Sequence, residues 1–183
     1  MTQSKHTFTV KNIKTFTGRE GYGYSCNLYL NNKKVAVVTD NADGGPLDIF
    51  WNGPKIFDVT TRSLDFEISQ EYLTHKGTEA ESILEKMIME LPMISIQGSQ
   101  PFYSNSEIFI DDLVNDTLLQ QKISRILKKE IFILENKQIF SYKIKPTQDS
   151  VKINNYIAKN KPTAIIINEK PIEEVVKIFK EHS

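Results

Sequence analysis

Apolar and polar positions alternate through the first fifty residues with the two-residue period of strands that bury one face. Residues 7–16 carry Phe8, Val10, Ile13 and Phe16. In residues 22–30, Tyr24, Cys26, Leu28 and Leu30 fall on one face; in 33–39, Val35 and Val37 do. Asn31-Asn32 separates these two runs. That spacing predicts a tight hairpin, because asparagine tolerates the positive φ such turns require. Asp40-Asn41-Ala42-Asp43-Gly44-Gly45-Pro46 reads as a loop. Residues 47–51 read as a short strand ended by Asn52-Gly53-Pro54, and 63–68 as another.

Helical period then takes over. Thr78 and Glu81 fit a capping box, in which each side chain satisfies the other residue's backbone N–H. Ile83, Leu84, Met87, Ile88 and Leu91 mark one face of this helix, and Pro92 stops it. A longer helix is predicted over 107–129, its apolar face including Phe109, Ile110, Leu113, Val114, Leu118, Ile123, Ile126 and Leu127. Glu107, Asp111 and Asp112 near its start and Arg125, Lys128 and Lys129 at its end suit the helix dipole. Beyond it, 131–134 and 138–144 read as strands flanking Glu135-Asn136-Lys137, and 149–158 as a helix. The β-branched run 163–167 predicts a strand covered on both faces. Residues 168–183 read as a last helix with Pro171 near its first turn and Ile172, Val175, Val176 and Phe179 on its buried face.

The fold class expected is α+β: an N-terminal antiparallel β-meander with a helix, a long central helix, and a C-terminal β-hairpin–α–β–α unit. A division near 101–106 would separate 1–100 from 101–183, with both parts packed as one assembly.

Composition narrows the setting. The 183 residues include 10 Phe, 7 Tyr and 1 Trp, enough bulk for a core. Cys26 is the single cysteine, so no intramolecular disulfide can form and a reducing, cytoplasmic compartment is expected. Residues 1–10 hold no apolar run behind a basic cluster, so no signal peptide is expected. Apolar runs fall far short of the roughly 20 residues that span a bilayer. The net charge is zero but unevenly laid out: six basic and one acidic side chains in 1–39, four and fifteen in 40–121, thirteen and seven in 122–183. Such blocks suit either internal pairing or surfaces with different partners.

Candidate chemistry is thin. Gly18-Arg19-Glu20-Gly21-Tyr22-Gly23 could cradle a phosphate through backbone N–H groups, with Arg19 adding charge. It is neither a Walker loop nor a kinase lid, since Gly-Lys-Ser/Thr, His-Arg-Asp and Asp-Phe-Gly are absent from the chain. Its bland reading is a turn between strands. Asp40, Asn41 and Asp43 could hold a hard cation, but Ala42 breaks the alternation of ligands and Trp51 stands where an EF-hand needs glutamate. Asx turns explain them better, and no metal is expected. Glu135 and Lys137 match part of a metal-dependent nuclease pattern, yet fall at a hairpin tip with no upstream strand-end aspartate. His6, His75 and His182 lack the paired spacing of zinc ligands. Lys122, Arg125, Lys128, Lys129, Lys143 and Lys145, with Phe140, Tyr142 and Tyr156 among them, offer a nucleic-acid surface. With three arginines in the chain, a solvated lysine face is the simpler account.

Lys14-Thr15-Phe16-Thr17-Gly18-Arg19-Glu20-Gly21-Tyr22-Gly23-Tyr24, then Leu28-Tyr29-Leu30-Asn31-Asn32-Lys33-Lys34-Val35-Ala36 and Asp43-Gly44-Gly45, resembles the opening of uncharacterised bacteriophage and bacterial mobile-element proteins. The resemblance covers about the first quarter of the chain and brings no functional residues. It implies an accessory protein in a bacterial cell, acting against host machinery. The expectation is therefore a non-enzymatic, macromolecule-binding protein that needs no cofactor, binds and inhibits a host protein, and has no membrane partner. Tyr22, Tyr24, Phe50 and Trp51 are its aromatic anchors and Asp40 and Asp43 its acidic contacts. The alternatives are a phosphate-handling enzyme using Gly18, Arg19, Gly21 and Gly23, and a nucleic-acid binder using the C-terminal cations.

Overall fold

Asn31 and Asn32 both adopt positive φ, 49° and 67°. That is the backbone of a two-residue turn whose twist matches antiparallel strands. It joins β2 (Gly21–Leu30) to β3 (Lys33–Asp40), with β1 (Phe8–Gly18) on one side and β4 (Asp48–Trp51) on the other. The sheet order is β1-β2-β3-β4, antiparallel throughout. This computed structural model describes residues 6–62, 72–96, 98–144 and 150–182. The chain is α+β, and its contacts divide it into two compact units, Met1–Val114 and Asn115–Ser183.

In the first unit the inner sheet face carries Phe8, Val10, Tyr24, Cys26, Leu28, Ala36 and Val38, all buried. The start of α2 (Ser106–Leu127) serves this core. Phe109 packs edge-on against Phe8, the Asp111 carboxylate accepts from the Tyr24 hydroxyl at 2.5 Å, and Glu107 accepts from the Leu47 backbone N–H. These contacts place 106–114 with the sheet, so the chain divides inside α2 rather than in the 101–106 stretch.

Alternation in β3 is interrupted. Leu28 pairs with Ala36 but Tyr29 pairs with Lys34, leaving Val35 as the extra residue of a bulge. Val35 and Val37 therefore do not share a face: Val35, Ala36 and Val38 are buried, whereas Val37 is half-buried on the outer face.

A second hairpin, β5 (Phe57–Arg62) with β6 (Tyr72–Gly77), packs on α1 (Glu79–Met89), where the Ser82 hydroxyl donates to the Asp58 carbonyl and Val59, Leu84 and Ile88 are buried. The pattern of the chain did not predict it, and the strand expected at 63–68 lies outside the described residues. α1 starts with the full Thr78–Glu81 capping box.

The second unit is a three-stranded sheet in the order β8-β7-β9, made of β7 (Glu130–Glu135), β8 (Gln138–Lys143) and β9 (Ile165–Ile166). The hairpin turn is two residues, Asn136 and Lys137, both at positive φ. One sheet face packs Phe132 against Ile123 of α2 and Val175, Val176 and Phe179 of α4 (Ile172–His182). The other packs Ile131 and Ile133 against Ile157 of α3 (Ser150–Asn160). The run 163–167 is not the doubly covered strand expected. Only Ile165 and Ile166 pair, Ile165 stays 46% exposed, and a 3-10 turn begins at Ile167. Asn168 explains the stop: its Oδ1 accepts from the Phe132 N–H, while its Nδ2 donates to the Leu127 and Glu130 carbonyls.

Candidate functional site

Cross-strand register sorts every side chain of the first sheet onto one face or the other, because residues directly opposite share a face. Val10–Leu28 and Cys26–Val38 define the buried side. The outer side then reads in rows from β1 to β4. Thr9, Tyr29 and Lys34 form one row, and Lys11, Asn27, Val37 and Phe50 the next. Lys14, Ser25, Thr39 and Asp48 form the third, and Phe16 lies opposite Gly23 at the end. Phe50 is 65% exposed and Phe16 39%.

A bulge shapes this face. Lys11 pairs with Asn27 and Lys14 with Ser25, so Asn12 and Ile13 together face Cys26, with Asn12 at φ 57°. β1 bends there, and a shallow depression of about 450 Å³ opens among Asn12, Ile13, Lys14, Ser25, Cys26, Asn27 and Val37. Lys11 reaches over the Tyr29 ring, 4.7 Å from its centroid, and toward Asn32. Among the described residues, no carboxylate pairs with Lys14 or Lys34. Asp48, the one acid in these rows, accepts from the Asn41 amide at 2.7 Å.

The residues singled out by sequence do not form one surface. Phe50 is on the outer face, whereas Trp51 points to the inner side opposite Ala36 and is half-buried. Tyr22 is 85% exposed at the end of β2, on the side that Tyr24 shares. Tyr24 is only 8% exposed, with its hydroxyl bonded to Asp111, so its ring is core and is not offered to a partner. Asp40 and Asp43 accept from the Ala42 and Gly45 backbone N–H groups, closing Asx turns.

Gly18, Arg19, Gly21 and Gly23 lie on the β1–β2 hairpin, with no helix N-terminus after it. Close packing accounts for two of the glycines. A Cβ on Gly18 would come within 2.6 Å of the Ala42 Cβ, and one on Gly23 within 2.4 Å of the Asp40 carbonyl oxygen. The Glu20 N–H donates to the Ala42 carbonyl, holding the turn against the 41–45 loop.

Lys122, Arg125, Lys128, Lys129 and Lys143 are exposed; Lys145 lies outside the described residues. Phe140 and Tyr142 share the face of Ile133 and Ile131, at the β8 edge. The cation over Phe140 is Lys161, 5.4 Å from the ring centroid and bonded to Glu135 at 2.5 Å. Glu135 holds the Lys161 ammonium above its usual range. Lys137 sits in the hairpin turn, so the Glu135–Lys137 pair has its carboxylate committed elsewhere.

Two titratable clusters have no sequence signature, because their members are far apart in the chain or on a strand without apolar alternation. Burial, then the Asp111 hydrogen bond and charge, push the Tyr24 hydroxyl pKa up; burial and Asp111 push the Cys26 thiol up to about 11. Burial also raises Asp111 itself, although the Tyr24 bond opposes it. A thiol so shifted stays protonated and unreactive near neutrality. The other cluster joins His75 to Glu81 at 3.0 Å, with buried Glu85 one turn along α1. Burial raises the Glu85 pKa; Ser106 and His75 lower it and Glu81 raises it. Glu81 also closes the helix cap, so its carboxylate is structural. Among the described residues, no group of three His, Cys, Asp or Glu is placed to hold a metal ion. Among the described residues, no helix is long and apolar enough to cross a membrane. No protein-family model, curated protein or solved structure matches the chain.

Proposed function

We propose that this chain acts by binding a macromolecule, and that the outer face of the β1–β4 sheet is its working surface. The observation that carries the reading is the cross-strand pair Val37–Phe50, with Phe50 65% exposed beside a depression of mixed polar and apolar lining. An exposed aromatic ring on a rigid sheet brings contact area at little cost in side-chain entropy, because its neighbours already fix the backbone. The polar groups that could do chemistry are occupied in Asx turns, a helix cap and buried hydrogen bonds, which favours binding over catalysis. The resemblance of the N-terminal segment supplies a setting, an accessory protein that meets bacterial host components.

Affinity capture from a bacterial lysate with the whole chain and with Phe50→Ala tests this. Material retained by the parent and lost from a folded Phe50→Ala variant is the expected result. Equal retention by both would remove the outer face from the account.

A further inference from the structure

Resting on that face as the binding surface, we infer that its occupant is a single-stranded nucleic acid, stacked on Phe16 and Phe50 with its phosphates along Lys11, Lys14 and Lys34.

Charge comes first. The outer rows hold three lysines and one carboxylate, and Asp48 is already engaged by Asn41. Among the described residues, Lys14 and Lys34 meet no acid, and Lys11 is held by a ring and an amide rather than by an acid. Residues 1–39 carry six basic side chains against one acidic, so the same strands give the whole segment a positive field. Such a face attracts a polyanion and disfavours an acid-poor peptide.

The neutral groups then select the kind of polyanion. Phe16 and Phe50 present exposed rings at separate ends of the face, and bases stack on such rings whatever their sequence. Between them the depression offers the Asn27 amide and the Ser25 hydroxyl, neutral donors and acceptors suited to base edges. Base faces and edges are both accessible only when the strand is unpaired, so a duplex would meet the lysines alone.

The C-terminal cations lack this combination. Lys122 and Arg125 stand on a helix, and the ring pair of the second sheet has its cation, Lys161, bonded to Glu135.

Fluorescence anisotropy with labelled single strands of roughly 12 nucleotides, DNA and RNA, and with the matching duplex, decides the matter; that length falls within the span such surfaces cover. The expected result is binding to single strands in preference to duplex, weakening with salt at a log–log slope near −2, about −0.7 for each phosphate a lysine neutralises. Phe50→Ala should weaken it about tenfold, in line with a lost stacking contact. Lys14→Ala, on an exposed strand position where folding is not at stake, should flatten the slope by about 0.7. Lys122→Ala with Arg125→Ala should change nothing. No retention of any single strand at low salt overturns the inference, as does binding that ignores Phe50 and Lys14 but vanishes with Lys122 and Arg125. If oligonucleotides fail while Phe50→Ala still loses a nuclease-resistant captured protein, the nucleic-acid inference falls and the binding face stands.

Discussion

Phe50 and Trp51 are adjacent in the chain and serve opposite faces of one sheet, so their substitutions should separate stability from binding. Phe50→Ala removes an exposed ring and should change unfolding free energy by less than about 0.5 kcal/mol. Trp51→Ala empties a half-buried site against Ala36 and should cost about 2 kcal/mol in chemical denaturation. Asn168 is a stronger case: three backbone groups depend on its side chain, and Asn168→Ala should destabilise the second unit by about 2–3 kcal/mol. Glu85 sets a pH dependence. Its folded pKa lies above the ordinary 4.5, so the fold favours the neutral acid. The stability this group contributes is complete below that ordinary value and is lost as pH rises through the folded pKa. Glu85→Gln should therefore raise the melting temperature at pH 7 and lose that advantage as pH falls toward 4.5. None of these roles has a sequence signature. Tyr24 and Asp111 are 87 positions apart, and nothing local marks Asn168 as a tie among three elements.

At the scale of elements, legibility followed the strength of the local signal. The asparagine turn, the capping box and the long helix each rest on contacts between near neighbours, and each was readable. Thr78→Ala should cost about 1 kcal/mol, seen as a lower unfolding midpoint with an unchanged fold by circular dichroism. The β5–β6 hairpin was not readable because β6 exposes every residue but Gly77, so it shows no apolar alternation. The bulges at Asn12–Ile13 and Val35 were also hidden. One inserted residue reverses the face of everything beyond it, and nothing at Val35 advertises the insertion. That single fact moved Val37 to the outer face, where it meets Phe50. The expected doubly covered strand failed for a related reason: a continuous apolar run records burial but not the length of pairing.

For the molecule as a whole, the charge blocks visible in the sequence became informative only once register assigned them to faces. Lys11, Lys14 and Lys34 lie on the same side as Phe16, Tyr29 and Phe50, while the anchors picked from sequence were split between two sides. Sequence order alone cannot make that assignment, since it needs the pairing of four strands. The most direct test of the claim that this face holds a single-stranded nucleic acid is an amide-shift NMR titration of the full chain with a single-stranded oligonucleotide. The account predicts shifts concentrated at residues 11–16, 25–29, 34, 37 and 50, with 122–143 unmoved. Shifts confined to 122–143, or none at saturating oligonucleotide, would contradict it.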